Sequence, residues 1–225
     1  MSSEPVGPSE ETARRVSRFW PLISGFAAVA LVIGGGLLIV ARGAIPEIDS
    51  EWMAEVIEHR SPIWQIPALA MNFLGGGWFG VYVVPVVVFV VFCLVRRFWT
   101  AAYFAIASAA SVGLVQLLKH LFDRVRPPDG LVSSDPGSFP SGHVANAATM
   151  AVILGIIFWR TWVWMAGFVY VVLMMLSRTY LGAHWLTDTI GGLLIGAAVA
   201  VMVWAPLARR VKNEWKTPRR SNVHP

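Results

Sequence analysis

Long stretches without a single ionisable side chain constrain this sequence before anything else does. Residues 19–41, 61–95, 98–118, 161–177 and 189–208 contain no Asp, Glu, Lys or Arg. A membrane-spanning helix needs about 20 mostly apolar residues. The fold class that follows is all-α, a bundle of six transmembrane helices. They are placed at about 19–41, 78–95, 99–118, 141–159, 161–177 and 188–208. Composition agrees: 56% of residues are hydrophobic and 14% charged, against about 25% charged in soluble domains.

The run 61–95 is too long for one simple span, and Gly75, Gly76 and Gly77 form its natural break. Before the break, the segment 49–72 begins amphipathic, with Trp52, Met53, Val56 and Ile57 against Glu51, Glu55 and Glu58. That pattern predicts an interfacial amphipathic helix between spans 1 and 2. Pro85 is expected to kink the second span. Gly34–Gly36 and the Gly192/Gly196 pair permit close helix contacts. The domain reading is a disordered tail over 1–18, a membrane domain over 19–208 and a basic tail over 209–225. The first apolar run exceeds the core of a signal peptide and reads as a retained anchor. The single cysteine, Cys93, reads as a small packed hydrophobe.

The net charge of +5 does not point to nucleic acid, because half of the eighteen basic residues sit in the two end segments. Placing both termini in the cytoplasm puts twelve of the eighteen on the inner side and nine of thirteen acids on the outer side. This is the positive-inside arrangement. The basic tails are expected to lie against anionic lipid headgroups. The absence of a useful internal repeat counts against an inverted-repeat transporter.

With that topology, three clusters share the outer face. Lys119 and Arg126 are seven residues apart and would share a face if the segment stays helical, with Pro127 and Pro128 ending the helix. Arg124 would then point elsewhere and reads as an interfacial charge. Pro140-Ser141-Gly142-His143 opens the fourth span, where free helix-start amides favour an anion and Gly142 allows close approach. Ser177-Arg178 closes the fifth span. His184 and Asp188 flank the start of the sixth, four residues apart and so neighbours on a helix. A carboxylate bonded to one imidazole nitrogen fixes the tautomer and leaves the other nitrogen free to attack. The inventory suits a phosphoryl group displaced by an imidazole. Asp123, Asp129 and Asp135 read as solvated loop charges, and His59 and His120 are assigned no role.

These clusters resemble the type 2 phosphatidic acid phosphatase superfamily, whose pattern is K-x6-R-P, then P-S-G-H, then S-R-x5-H-x3-D. Every position matches, over about seventy residues. The resemblance implies His184 as nucleophile, Asp188 as its orienting carboxylate and His143 as general acid. Lys119, Arg126, Ser141, Gly142 and Arg178 would bind the phosphate oxygens. It implies no metal, no cofactor and a membrane lipid substrate. Candidates are an isoprenoid carrier pyrophosphate, phosphatidylglycerol phosphate or phosphatidic acid, cleaved at the extracytoplasmic face of a bacterial membrane. The rivals are a phosphotransferase using the same site, a soluble vanadate haloperoxidase with a similar site, and an anion or lipid transporter. Protein partners are not indicated.

Overall fold

A computed structural model describes residues 10–132 and 136–216. Among the described residues the protein is helix and connecting loop, with no strand. The helices are α1 (Glu10–Arg42), α2 (Glu47–Glu58), α3 (Pro62–Gly75), α4 (Val84–Leu94), α5 (Phe98–Phe122), α6 (Gly142–Phe158), α7 (Thr161–Tyr180) and α8 (Leu186–Lys216). A π-helical turn, Phe79–Val83, leads into α4. Of the expected first tail, residues 1–9 lie outside the described residues and the chain is helical from Glu10. Of the second, α8 runs on to Lys216, and 217–225 lie outside the described residues.

The Phe19–Arg42 part of α1, together with α5, α7 and α8, is long and apolar enough to cross a bilayer. Helix α6 is apolar but only 17 residues long. The expected second span, 78–95, is half of a bent pair: α3 and the Phe79–Leu94 segment pass the same test together, with a 42° bend between them. The bend lies at the glycine break and not at the proline. Pro85 is the second residue of α4, directly after the π-helical turn Phe79–Val83. The outer surfaces of α1 and α7 expose Trp20, Phe26, Leu31, Trp162, Met165 and Phe168. Such all-round apolar faces need lipid, and the chain is a multi-pass membrane protein.

Helix α6 is surrounded by α5, α7 and α8, while α1 packs on α8, α3 on α7 and α4 on α5. One core cluster joins Val32, Val115, Leu118, Phe122, Phe139, Ala145, Ile195 and Val199. Glycine sets the closest contact. A Cβ at Gly192 would lie 2.4 Å from the Ser141 carbonyl oxygen, and one at Gly196 would lie 2.2 Å from that of Ala145. Helices α6 and α8 therefore touch backbone to backbone. Gly34 and Gly35 face open space instead, and only Gly36 of that trio meets a neighbour, Phe122.

Helix α5 starts without a local cap. Its first amides, from Trp99 and Thr100, donate to the Glu214 carboxylate at 2.9 and 3.0 Å. The Thr100 hydroxyl donates to the same group at 2.7 Å. Arg97 stacks on Trp215 and Arg210 on Trp99, with the guanidinium 4.7 and 4.3 Å from the ring centres. The far end of α8 is thus clasped to the start of α5. The end of α5 is then free to meet the starts of α6 and α8.

Candidate active site

Helix α5 stops at Phe122 because Asp123 turns left-handed, at φ 38° and ψ 42°. Aspartate tolerates that conformation better than most residues. The helix therefore does not continue to the prolines, and the expected shared helical face of Lys119 and Arg126 does not exist. The chain runs on to Pro127 without regular structure, and burial alternates along it. Arg124 is buried, Val125 is exposed, and Arg126 turns inward again. Arg126 reaches the site by this route. It donates to the Gly137 carbonyl at 3.1 Å and to that of Ala183. Lys119, from the last turn of α5, donates to the same Gly137 carbonyl at 2.8 Å.

Ser141 precedes α6, and its amide donates to the Asp188 carbonyl at 2.9 Å. This bond ties the starts of α6 and α8 together. Near the end of α7, the Ser177 hydroxyl donates to the Ala68 carbonyl at 2.7 Å, and the Arg178 guanidinium donates to the Asn72 side chain. The chain then turns through Gly182, at φ 63°. The amides of Ala183 and His184 donate back to the Arg178 carbonyl. Asp188 sits in the first turn of α8 and accepts the Trp185 amide at 2.8 Å. This is half of a capping box.

His184 is buried between two charged groups. Its Nδ1 is 3.5 Å from Asp188 Oδ2, and its Nε2 is 3.4 Å from the Arg126 guanidinium. The first distance is long for a hydrogen bond, as is common in sites without substrate. The second places Nε2 on the cationic side. Burial holds the imidazole well below its ordinary pKa, with Arg178, Arg126 and Lys119 adding to the shift. The ring is therefore neutral near pH 7, which a nucleophile requires.

A cavity of about 430 Å³ opens onto this group and is lined by Lys119, Arg126, Gly142, His143, Arg178 and His184. It continues between Val81, Tyr82, Val112 and Val115. Among the described residues, Ser141 Oγ, His143 Nε2, Arg178 Nε and His184 Nδ1 are buried without a hydrogen-bond partner. The structure thus brings six of the eight expected residues into the lining of this cavity, with Ser141 next to Gly142 and Asp188 behind His184.

Four residues at this end escaped the sequence reading. Arg124 is no interfacial charge: it donates to Asp188 at 2.5 Å and to Asp49 at 2.7 Å. Asp49 is fully buried, in the helix read as amphipathic. Asn72 holds Arg178. Gly76 lies on His143, where a Cβ would be 1.7 Å from Nε2. Asp123 and Asp129 are exposed, as solvated loop charges should be; Asp135 lies outside the described residues. His59 and His120 bond only within their own helical turns.

A profile of the PAP2 superfamily matches residues 98–212, just over half of the chain. The chain belongs to the PAP2 superfamily. Within it, an undecaprenyl-diphosphatase of Sulfolobus acidocaldarius is 32% identical over 104 residues, 43% of this chain and 50% of that relative. Phosphatidylglycerophosphatase B of Bacillus subtilis is 30% identical over 118 residues, 48% of this chain and 58% of that protein. The chain thus matches about half the length of these curated PAP2 relatives. The crystal structure of a transmembrane PAP2 type phosphatidylglycerolphosphate phosphatase from Bacillus subtilis shares the fold. Its TM-score is 0.67 at 24% identity, covering 85% of this chain and 98% of that one. Aquifex aeolicus LpxE gives a TM-score of 0.61 over 70% of this chain and 95% of its own.

Proposed function

We propose that this protein is a lipid phosphatase. It hydrolyses a membrane lipid phosphate or diphosphate through a phosphohistidine, without a metal. The observation that carries this reading is the set of buried, partnerless polar atoms on His143 and Arg178 in the cavity lining and on Ser141 next to Gly142. An unsatisfied buried polar group costs about 1–3 kcal/mol, and a phosphate bearing several oxygens would satisfy them together. Lys119, Arg126 and Arg178 supply the positive charge that opposes the charge of the transferring phosphoryl group.

In the first step His184 Nε2 attacks phosphorus while the bond to the leaving oxygen breaks. His143 gives that oxygen its proton. Asp188 holds the Nδ1 proton and stabilises the cationic phosphoimidazole. In the second step water attacks phosphorus, His143 takes its proton, and the P–N bond breaks to release phosphate and restore neutral His184. The apolar continuation of the cavity between Val81, Tyr82, Val112 and Val115 fits a lipid tail. The names of the relatives favour an isoprenoid carrier diphosphate or phosphatidylglycerol phosphate. The topology we propose has six crossings, both termini in the cytoplasm and the cavity on the outer face.

The test is phosphate release by the purified protein in detergent, across undecaprenyl diphosphate, phosphatidylglycerol phosphate and phosphatidic acid. Wild type should release phosphate from at least one, and His184→Ala should release none while keeping its helical circular dichroism and its melting transition. Release that persists in His184→Ala, or no release by wild type from any of the three, sinks the proposal. A chelator should leave the rate unchanged.

A further inference from the structure

Asp188 alone does not fix His184. Behind it, one guanidinium joins two buried carboxylates. Arg124 Nη1 donates to Asp188 Oδ1 at 2.5 Å and to the Thr187 hydroxyl at 2.8 Å, while Nη2 donates to Asp49 Oδ2 at 2.7 Å. The guanidinium also lies 5.8 Å from the ring centre of Trp185. Arg124 therefore meets three of the four residues that follow His184 in sequence, Trp185, Thr187 and Asp188.

Asp49 completes the arrangement from a distant part of the chain. Its Oδ1 accepts the Thr187 amide at 2.8 Å, and its Oδ2 accepts the Thr187 hydroxyl at 2.7 Å. Trp185 at the start of α8 has no side-chain oxygen to cap the helix, so the carboxylate of α2 caps it from 138 residues away. The segment that carries Arg124 is held in turn. The Trp185 indole donates to the Val125 carbonyl at 2.8 Å, and the Ser138 amide to that of Arg124 at 2.9 Å.

Each bond has a consequence for the nucleophile. Asp188 Oδ2 already serves the Trp185 amide at 2.8 Å and faces His184 Nδ1 at 3.5 Å. Its orientation toward the imidazole is set by what holds Oδ1, and that is Arg124. A guanidinium suits this because its planar fork holds two carboxylates at fixed angles, which an ammonium cannot do. Neither Arg124 nor Asp49 lines the cavity, so neither touches the substrate.

We infer that Arg124 and Asp49 are positioning residues for the phosphatase site: the Asp49–Arg124–Asp188 chain aims Asp188 at His184 and so sets the nucleophile's tautomer and orientation. The inference rests on the lipid phosphatase reading. A residue acting through another must show that dependence, so the test is a double-mutant cycle on phosphate release.

Arg124→Gln should lower kcat about 10²-fold, the upper range for removing a group that orients another, with KM within about twofold of wild type. Arg124→Lys should recover part of the loss, and Asp49→Asn should lower kcat about tenfold. On an Asp188→Asn background, Arg124→Gln should cost less than about threefold further, because its target is gone. Melting transitions identify the folded variants, and kcat is taken per folded protein. Equal losses from Arg124→Gln on both backgrounds would overturn the inference, as would a loss confined to KM. If Arg124→Gln does not fold, Arg124→Lys and Asp49→Asn are run through the same cycle. Failure of all three to fold makes the pair a structural brace and also overturns it. Wild-type inactivity sinks the phosphatase reading itself and this inference with it; activity lost in His184→Ala but unaffected by Arg124→Gln sinks the inference alone.

Discussion

Replacing Gly76 by alanine tests the site through a single methyl group. The backbone at Gly76 is extended, at φ −149° and ψ −161°, so alanine adopts it without strain. The cost comes from one neighbour. The new Cβ would lie 1.7 Å from Nε2, 2.1 Å from Cε1 and 2.3 Å from Cδ2 of His143. Ordinary contact is about 3.5–4.0 Å, so ring and methyl must separate by roughly 2 Å. A misplacement of about 1 Å at a reacting group can cost about 10²-fold in rate. Gly76→Ala should therefore lower kcat for phosphate release by about 10²-fold or more. Overpacking should also cost about 1–3 kcal/mol of stability. The assay is steady-state phosphate release in detergent, paired with a thermal melt to count folded protein. Gly35→Ala is the control, since nothing lies within 4 Å of its Cβ. It should melt at the same temperature or higher and keep its kcat. A folded Gly76→Ala protein with wild-type kcat would refute the placement of this glycine against a working imidazole.

Asn72→Ala removes the acceptor that holds the Arg178 guanidinium and should raise KM about tenfold, from a charged hydrogen bond of about 1.5–3 kcal/mol, measured by the same assay. Glu214→Gln weakens the cap on α5; it should lower stability by about 1 kcal/mol in a melt and leave kcat intact, because the cap is at the other end of α5. Burial depresses the His184 pKa. The acid limb of kcat/KM due to this group should therefore lie below the ordinary imidazole value of about 6.5, so activity persists where a solvated histidine would already be charged. By linkage, the unfolded chain takes up this proton first as pH falls. The His184 contribution to stability is thus full above about pH 6.5 and shrinks below it, and the acid-side fall in melting temperature should be shallower in His184→Gln.

The sequence shows where lipid must be and which residues are candidates for handling phosphate, and both readings rest on local rules. Charge-free runs locate α1, α5, α7 and α8 because hydrocarbon excludes ions. They misjudge the ends, as when α8 continues to Lys216, because a helix persists in water after its apolar run stops. Lys119, His143, Arg178 and His184 are legible because each stands beside a helix end. Arg124 was misread because the helix was carried past Asp123. The left-handed turn there converts a seven-residue helical spacing into an alternation of burial, with Arg124 and Arg126 both inward. The run Asp-Arg-Val-Arg-Pro-Pro held a clue, since residues before proline favour extended backbone. Asp49 gave no comparable sign. Its partners are 75 and 138 residues away, and no periodicity within α2 marks one acid as buried. The triple glycine was visible as a break, but its contact with His143 depends on how α3 folds back over α6.

If the protein is the proposed phosphatase, the glycine contact between α6 and α8 has a consequence for how its site diversifies. With Gly192 and Gly196 against the backbone of residues 141 and 145, the two helix starts that present His143 and His184 form a calliper of fixed gauge. On the phosphatase reading, a larger or smaller substrate cannot be accommodated by opening it, and selectivity falls to other lining side chains such as Val81, Tyr82, Val112 and Gln116, which can be exchanged without touching His143 or His184.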